Sequence, residues 1–422
     1  MSFQTPVPRA VLAAALLFGP AVTLTTGCDS ASGGSETGAA VTFDGRVTDD
    51  TETARRSGAS VEGAVVTAAS ISASGGTNAL AGSATTTASG SFSLESEGTT
   101  APVRLTAESD GFFSSSVLVE AGGAARGTVR VPPMTTETDA EADVYVVVRG
   151  RSDRARVSDA VLFVTSDVAT DLVLGQTTTA EVAAALDAAL AAERRAAADD
   201  GAADDDIERV RDDRDEAYAQ LRLSLSASAN TSAALADFEE AYVEAYTEAG
   251  LTARTAARAA RARALAAERF AASTSSRTAA SVRTRARLFA ATATAFAIEA
   301  EFEARGAASS RLATLGAARA QLVASLRAAN TEAQRTAAMA TYRAVVQAEL
   351  SSETGVSATD LSIAAAATAT ARTALMASVN AASSGEAVAS ALATYYTAAE
   401  TAVSSTVSAE AAARVVVLLS TL

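Results

Sequence analysis

The chain of 422 residues has no histidine, no lysine and no tryptophan, and a single cysteine, Cys28. Each absence removes chemistry. Without histidine the commonest general base and the commonest metal ligand are gone. Without lysine there is no Schiff base and no Walker-type phosphate loop. One cysteine cannot close a disulfide within the chain. No Ser-His-Asp or Cys-His set can be assembled, and no cofactor or metal is expected. A carboxylate-dependent hydrolase needs only Asp and Glu, so it stays as a minor alternative. Aromatics, which usually line a sugar cleft, make up only 5%.

What is present is alanine and arginine. Residues of the hydrophobic class reach 49%, and all 34 basic residues are Arg, against 49 acids, a formal net charge of −15. Alanine is the best helix former but buries little area, so a largely helical protein with close backbone approach is expected. The negative charge repels nucleic-acid phosphates and anionic membrane faces, so no nucleic-acid partner is expected. The length suits two or three domains.

Residues 1–27 carry one charge, Arg9, then an apolar run from Ala10 to Phe18 broken by Pro20. The run is too short to span a bilayer and is expected to be an export signal. It ends on Leu24-Thr25-Thr26-Gly27-Cys28, which resembles the lipobox of bacterial lipoproteins. Thr25 departs from the usual Leu, which stands one place earlier at Leu24. The resemblance implies cleavage before Cys28 and lipidation of its thiol. The chain would then be held to a membrane of the cell envelope, on the outer-membrane or periplasmic face. Removal of Arg9 leaves 33 Arg against 49 acids, or −16. Residues 28–40 are small and polar and read as a flexible tether.

From Val41 the pattern changes to short β-branched runs separated by Gly, Ser and Asp. Strands are expected at 41–47, 61–69, 82–87, 91–94, 103–109, 112–119 and 126–131, forming a small antiparallel β-sandwich over 41–134. Four pieces, Phe43–Val47, Val61–Val66, Ser89–Leu94 and Glu108–Phe112, resemble the carboxypeptidase regulatory-like domain, a transthyretin-like, carbohydrate-binding-like sandwich. Ser89 stands where that family usually has an acid. The resemblance implies an accessory module without peptidase activity, and a glycan as one partner to consider. Phe92 and Phe112 are expected in the core, and Gly45, Gly63, Gly90 and Gly111 at turns or bulges.

Residues 135–177 are a connecting segment. VYVVV at 144–148 and VLFV at 161–164 could be strands, but Thr138 followed by Asp139 and Glu141 suggests a helix start, and helices are expected. Residues 178–422 form an Ala-rich array or bundle of helical hairpins. Leu235, Phe238, Tyr242 and Tyr246 share a helical face, and Val282, Phe289 and Phe296 recur every seven residues, as do Leu288, Ala295 and Phe302. Starts near 178, 230, 277, 330 and 383 suggest a period of about 50 residues, and Tyr242, Tyr342 and Tyr395 each fall twelve residues after Asn230, Asn330 and Ser383. The units could stack as a solenoid or fold back as a bundle.

Two charge runs stand out. Residues 199–216 hold ten acids and three Arg; residues 254–287 hold nine Arg and one acid, Glu268. Asp204-Asp205-Asp206 with Glu208 lacks the alternation of a calcium loop and reads as the acidic first turn of an exposed helix. The Arg run could capture an anion, but pairing with acidic helices, including Glu239, Glu240, Glu299, Glu301 and Glu303, is the stronger expectation. The chain thus reads as a membrane-anchored, non-catalytic structural or interaction protein with an unknown protein or glycan partner. Glycan binding by the sandwich is the alternative.

Overall fold

The computed structural model describes residues 40–49, 59–110, 112–120, 127–226, 231–407 and 410–422. The chain alternates inward and outward side chains through its first third. Ser91–Glu97 (β6) buries Phe92, Leu94 and Ser96 and exposes the residues between them. That period of two makes one face of each strand apolar. β6 pairs antiparallel with Ala40–Arg46 (β1), whose other edge takes Gly127–Arg130 (β9) in parallel. A second sheet runs in the order Thr77–Thr85 (β5), Val65–Ile71 (β4), Val103–Ser109 (β7), Phe112–Val119 (β8), all antiparallel. Thr48–Asp49 (β2) and Ala59–Ser60 (β3) form a short ribbon. Val41, Phe43, Val66, Phe92, Leu94, Val103, Leu105, Val117 and Val119 fill the space between the two larger sheets.

Three details depart from the sequence expectation, the first being that the strand expected at 82–87 is Thr77–Thr85. Strand β4 begins at Val65, because the Thr86 hydroxyl accepts from Ala64 N at 2.9 Å and donates to the Val61 carbonyl at 2.7 Å, which holds 61–64 as a turn with Gly63 at φ 76°. The sandwich is also not purely antiparallel. β8 and β9 lie in different sheets, so the connection between them is no hairpin and leaves β9 parallel to β1. Gly111 and the side chain of Phe112 lie outside the described residues.

The second sheet is a middle layer. Val117 and Val119 face the sandwich core, whereas Leu118 and Ile71 belong to the helical core. Thr136–Arg151 (α1) packs on that outer face. Its N-cap is Thr135, not Thr138; Thr138 sits at N3 and completes a reciprocal capping box. Arg104 of β7 reaches Asp143 of α1 at 2.8 Å. Gly75, in the β4–β5 turn at φ 76°, approaches α1 so closely that a Cβ there would lie 2.6 Å from the Val146 carbonyl. The segment 144–148 is therefore helix, and Val157–Phe163 (α2) and Ser166–Val173 (α3) follow.

The remaining helices are Thr179–Asp199 (α4), Asp204–Ser226 (α5), Thr231–Glu248 (α6), Ala253–Ala271 (α7), Ser276–Ala304 (α8), Ser309–Ala328 (α9), Glu332–Thr354 (α10), Ala358–Ala367 (α11), Ala369–Ala381 (α12), Gly385–Ser404 (α13) and Glu410–Ser420 (α14). Helices thus begin at each of the five repeat starts. The period marks helix starts, not packing units. α5 packs on α6, while α7 packs on α4 and α8 and α13 returns to α4 and α7. The result is a bundle around α7, not a linear stack. Ala259, Ala260 and Ala262 of α7 are fully buried, and such small side chains let neighbouring backbones come close. Tyr242, Tyr342 and Tyr395 are all buried, as are Val282, Phe289, Leu288, Ala295 and Phe302; Phe296 is half-buried. Among the described residues no helix is long and apolar enough to cross a membrane.

Candidate functional site

The most concentrated chemistry lies where α2, α4, α5, α6, α7 and α8 converge. Each helix projects a polar or aromatic side chain inward from an otherwise apolar face. Arg263 of α7 sits between Glu193 of α4, at 2.8 Å, and Asp159 of α2, at 3.0 Å. Arg214 of α5 meets the other Glu193 oxygen at 2.7 Å and donates from Nε to the Tyr242 carbonyl at 3.2 Å. The Tyr242 hydroxyl donates to Asp159 and the Tyr246 hydroxyl to Glu193. The Arg214 guanidinium lies 4.0 Å from the centroid of the Tyr242 ring and 4.7 Å from that of Tyr246. Phe238 and Phe289 pack edge-on against Tyr242, each at 5.8 Å. All of these side chains are buried.

Two guanidiniums and two carboxylates balance. Burial penalises the Glu193 charge, but Arg214 and Arg263 together outweigh it and hold the carboxyl down at about 2. Burial drives the Tyr242 and Tyr246 hydroxyls well above their usual range. A carboxyl held that low is a poor base, so Glu193 does not take a proton from a substrate. The adjoining cavity, lined by Asp159, Glu193, Arg214 and Tyr246 among others, has about 40 Å³. That holds a water or two and no organic substrate. The centre is built to hold helices in place.

One carboxyl nearby has the opposite character. Asp215 of α5 accepts from the Ser158 hydroxyl at 2.9 Å and lies 3.6 Å from Arg156 Nε. Burial and the charge of Glu120 push it up to about 8, against the pull of Arg156. A raised carboxyl beside a second one is the signature of a general acid. Neither Asp215 nor Glu120 lines the water-sized cavity beside the centre, however.

Many members of the two charge runs are paired within the molecule. Asp204–Asp206 form the first turn of α5, and Asp204 meets Arg194 at 3.0 Å, with Asp206 paired to Arg209 and Glu208 to Arg211. Among the described residues no group of three or more acidic or cysteine side chains is placed to hold a metal ion. In the basic run Arg254 and Arg258 both bind Asp200 and Glu400, Arg285 meets Glu239 and Arg287 meets Glu268. Glu240 and Glu299 instead take Arg319, and Glu301 takes Arg414. In the sheet region Phe43 and Phe92 are both buried, so no aromatic with a described side chain faces outward there.

The aromatic part of the centre, Phe238, Tyr242, Tyr246 and Phe289, follows the helical stripes of the sequence, whereas its ion pairs do not show there. The one local sign of those pairs is Arg263, which falls outside the Arg254-Arg258-Arg261 face and among buried alanines of α7. Cys28, the lipidation candidate, lies outside the described residues, as do residues 1–27 and 28–39. Comparison with protein-family models, with curated proteins and with solved structures returns no match for the chain.

Proposed function

We propose that this is an exported cell-envelope lipoprotein, anchored through lipid on Cys28, that acts as a non-catalytic structural or interaction protein. The observation that carries the reading is the position of the only cysteine, directly behind an apolar run and the lipobox-like Leu24–Gly27. The described structure is consistent with it in two respects. Strand β1 begins at Ala40, twelve residues after Cys28, and twelve residues of chain reach at most about 40 Å. The most concentrated titratable centre is buried and charge-balanced, which suits a scaffold better than an enzyme. We take residues 41–134, with their resemblance to carboxypeptidase regulatory-like domains, as a rigid base from which the helices present a surface.

The test is metabolic labelling with an alkyne fatty acid in a bacterium that processes lipoproteins. The wild-type chain is expected to carry label and to sediment with membranes, and Cys28→Ser to lose both. Unlabelled mature protein, or a Cys28→Ser variant that fractionates like wild type, refutes the anchor.

A further inference from the structure

A second cavity, away from the buried centre, has about 340 Å³ and is bounded by α7, α8, α10, α12 and the chain after α14. Its charged side chains are Arg261, Arg287, Arg343 and Arg372 against Glu268 and Glu332, and Thr421 and Leu422, the last of the 422 residues, also line it. That is a local excess of positive charge in a chain of formal net charge −15. The two carboxylates are already engaged. Glu332 binds Arg287 and also Arg335 at 3.3 Å, and Glu268 meets Arg287 at 3.4 Å. Arg261 has only a long contact to Glu268, at 3.8 Å. Arg343 of α10 and Arg372 of α12 have no ion pair among the described residues. The floor is apolar, with Ala291 and Met339 buried.

Arg343 and Arg372 thus face one space with no described acidic side chain paired to either. Burial and the neighbouring Arg372 charge both hold the Arg343 guanidinium below its usual range, as expected where like charges are close and lack a counter-ion. Guanidinium forks match the paired oxygens of phosphate and carboxylate groups and bind them through charge-assisted hydrogen bonds. A cavity of this volume with an apolar floor and a few convergent charges has the character of a small-molecule site.

We propose that this cavity binds a small organic anion carrying at least two acidic groups, phosphate or carboxylate, bridged between Arg343 and Arg372. The site is independent of the anchor at Cys28. Arg261 and Arg287 supply the positive wall behind the ligand, and Met339 and Ala291 contact its carbon skeleton.

The full chain is titrated calorimetrically with pyrophosphate and with citrate at constant ionic strength, with sodium chloride as the control. Saturable binding of at least one probe is expected, and the stronger of the two identifies phosphate or carboxylate as the preferred group. Arg343→Gln and Arg372→Gln should each weaken it by about tenfold or more, the loss expected for one charged hydrogen-bonding partner. Arg327→Gln, whose partner is Glu239, should bind like wild type. Arg372 is exposed, so its variant folds irrespective of the cavity. Heats indistinguishable from the chloride control for both probes, or undiminished binding by folded Arg372→Gln, overturn the proposal.

Discussion

Replacing Glu193 by Gln tests the buried centre most directly. The substitution keeps the shape of the side chain but removes one of two carboxylates that face two buried guanidiniums. Arg214 then has no anionic partner and Arg263 keeps only Asp159. Removing one member of a buried, hydrogen-bonded ion set costs about 3–5 kcal/mol, chiefly because a desolvated charge is left uncompensated. A separate route gives a similar size. Moving the carboxyl from 4.5 to about 2 corresponds to about 3 kcal/mol at about 1.4 kcal/mol per pH unit. The pH dependence follows. The folded value is depressed, so the stabilisation is fully present above the unfolded value of about 4.5 and is lost as pH falls towards about 2. Urea unfolding followed by helical circular dichroism at pH 7 should show the variant destabilised by at least about 3 kcal/mol. At pH 2 wild type and variant should converge. A loss under about 1 kcal/mol at pH 7, or an equal gap at pH 2 and pH 7, would refute the reasoning.

Asp215→Asn should act in a different window. Its folded value is raised to about 8, so its stabilising effect is present below the unfolded value of about 4 and is lost as pH rises through about 8. Thermal melts from pH 5 to 8 should show a falling wild-type trend that the Asn variant flattens; parallel curves would contradict this. Two glycines should respond with opposite signs. A Cβ at Gly385 would lie 2.0 Å from the Ala188 carbonyl of α4, so Gly385→Ala should destabilise by about 1–3 kcal/mol, whereas Gly316 in α9 has nothing within 4 Å and Gly316→Ala should stabilise by about 0.5–1 kcal/mol. Melting points that move in the same direction for both would remove the close-approach argument. Tyr218→Phe removes the hydroxyl that donates to the Leu118 carbonyl at 2.9 Å, where α5 meets the second sheet, and should cost about 1–3 kcal/mol in urea; an unchanged midpoint would mean that water replaces the bond.

How far the fold could be read in advance depended on the range of the interaction that decides each element. Thr178, Thr252, Thr331 and Ser384 cap the helices that follow, and such local signals make helix starts legible. Strands β7 and β8 were likewise legible from alternation alone. The start of β4 was not, since the Thr86 hydroxyl that ends the preceding turn comes 25 residues after Val61. The same holds for the buried centre. Its ion pairs join residues separated by 21 to 104 positions, and nothing local distinguishes Glu193 or Asp159 from the many exposed acids. The cavity around Arg343 and Arg372 was hidden for a further reason. The dense basic run, 254–287, contributes only its paired members to the cavity, and the two unpaired arginines lie far outside that run.

The composition explains why the centre stands where it does. Alanine faces bring helices close, but each buried methyl contributes little and resembles its neighbours, so one alanine-on-alanine register is nearly as favourable as the next. A slip of α7 by one turn is a displacement of about 5.4 Å. It would bring other alanines into the same grooves at small cost in apolar burial. It would also carry Arg263 away from Glu193 and Asp159, now at 2.8 and 3.0 Å, and leave buried charges without partners. Stability comes from the many small contacts, while the single register comes from the few residues that tolerate no other. Six helices meet at this centre, so fixing α7 there fixes α4, α5, α6 and α8 with it. In a chain without lysine, histidine or tryptophan, arginine and tyrosine are the residues left that combine a large buried surface with directional polar groups.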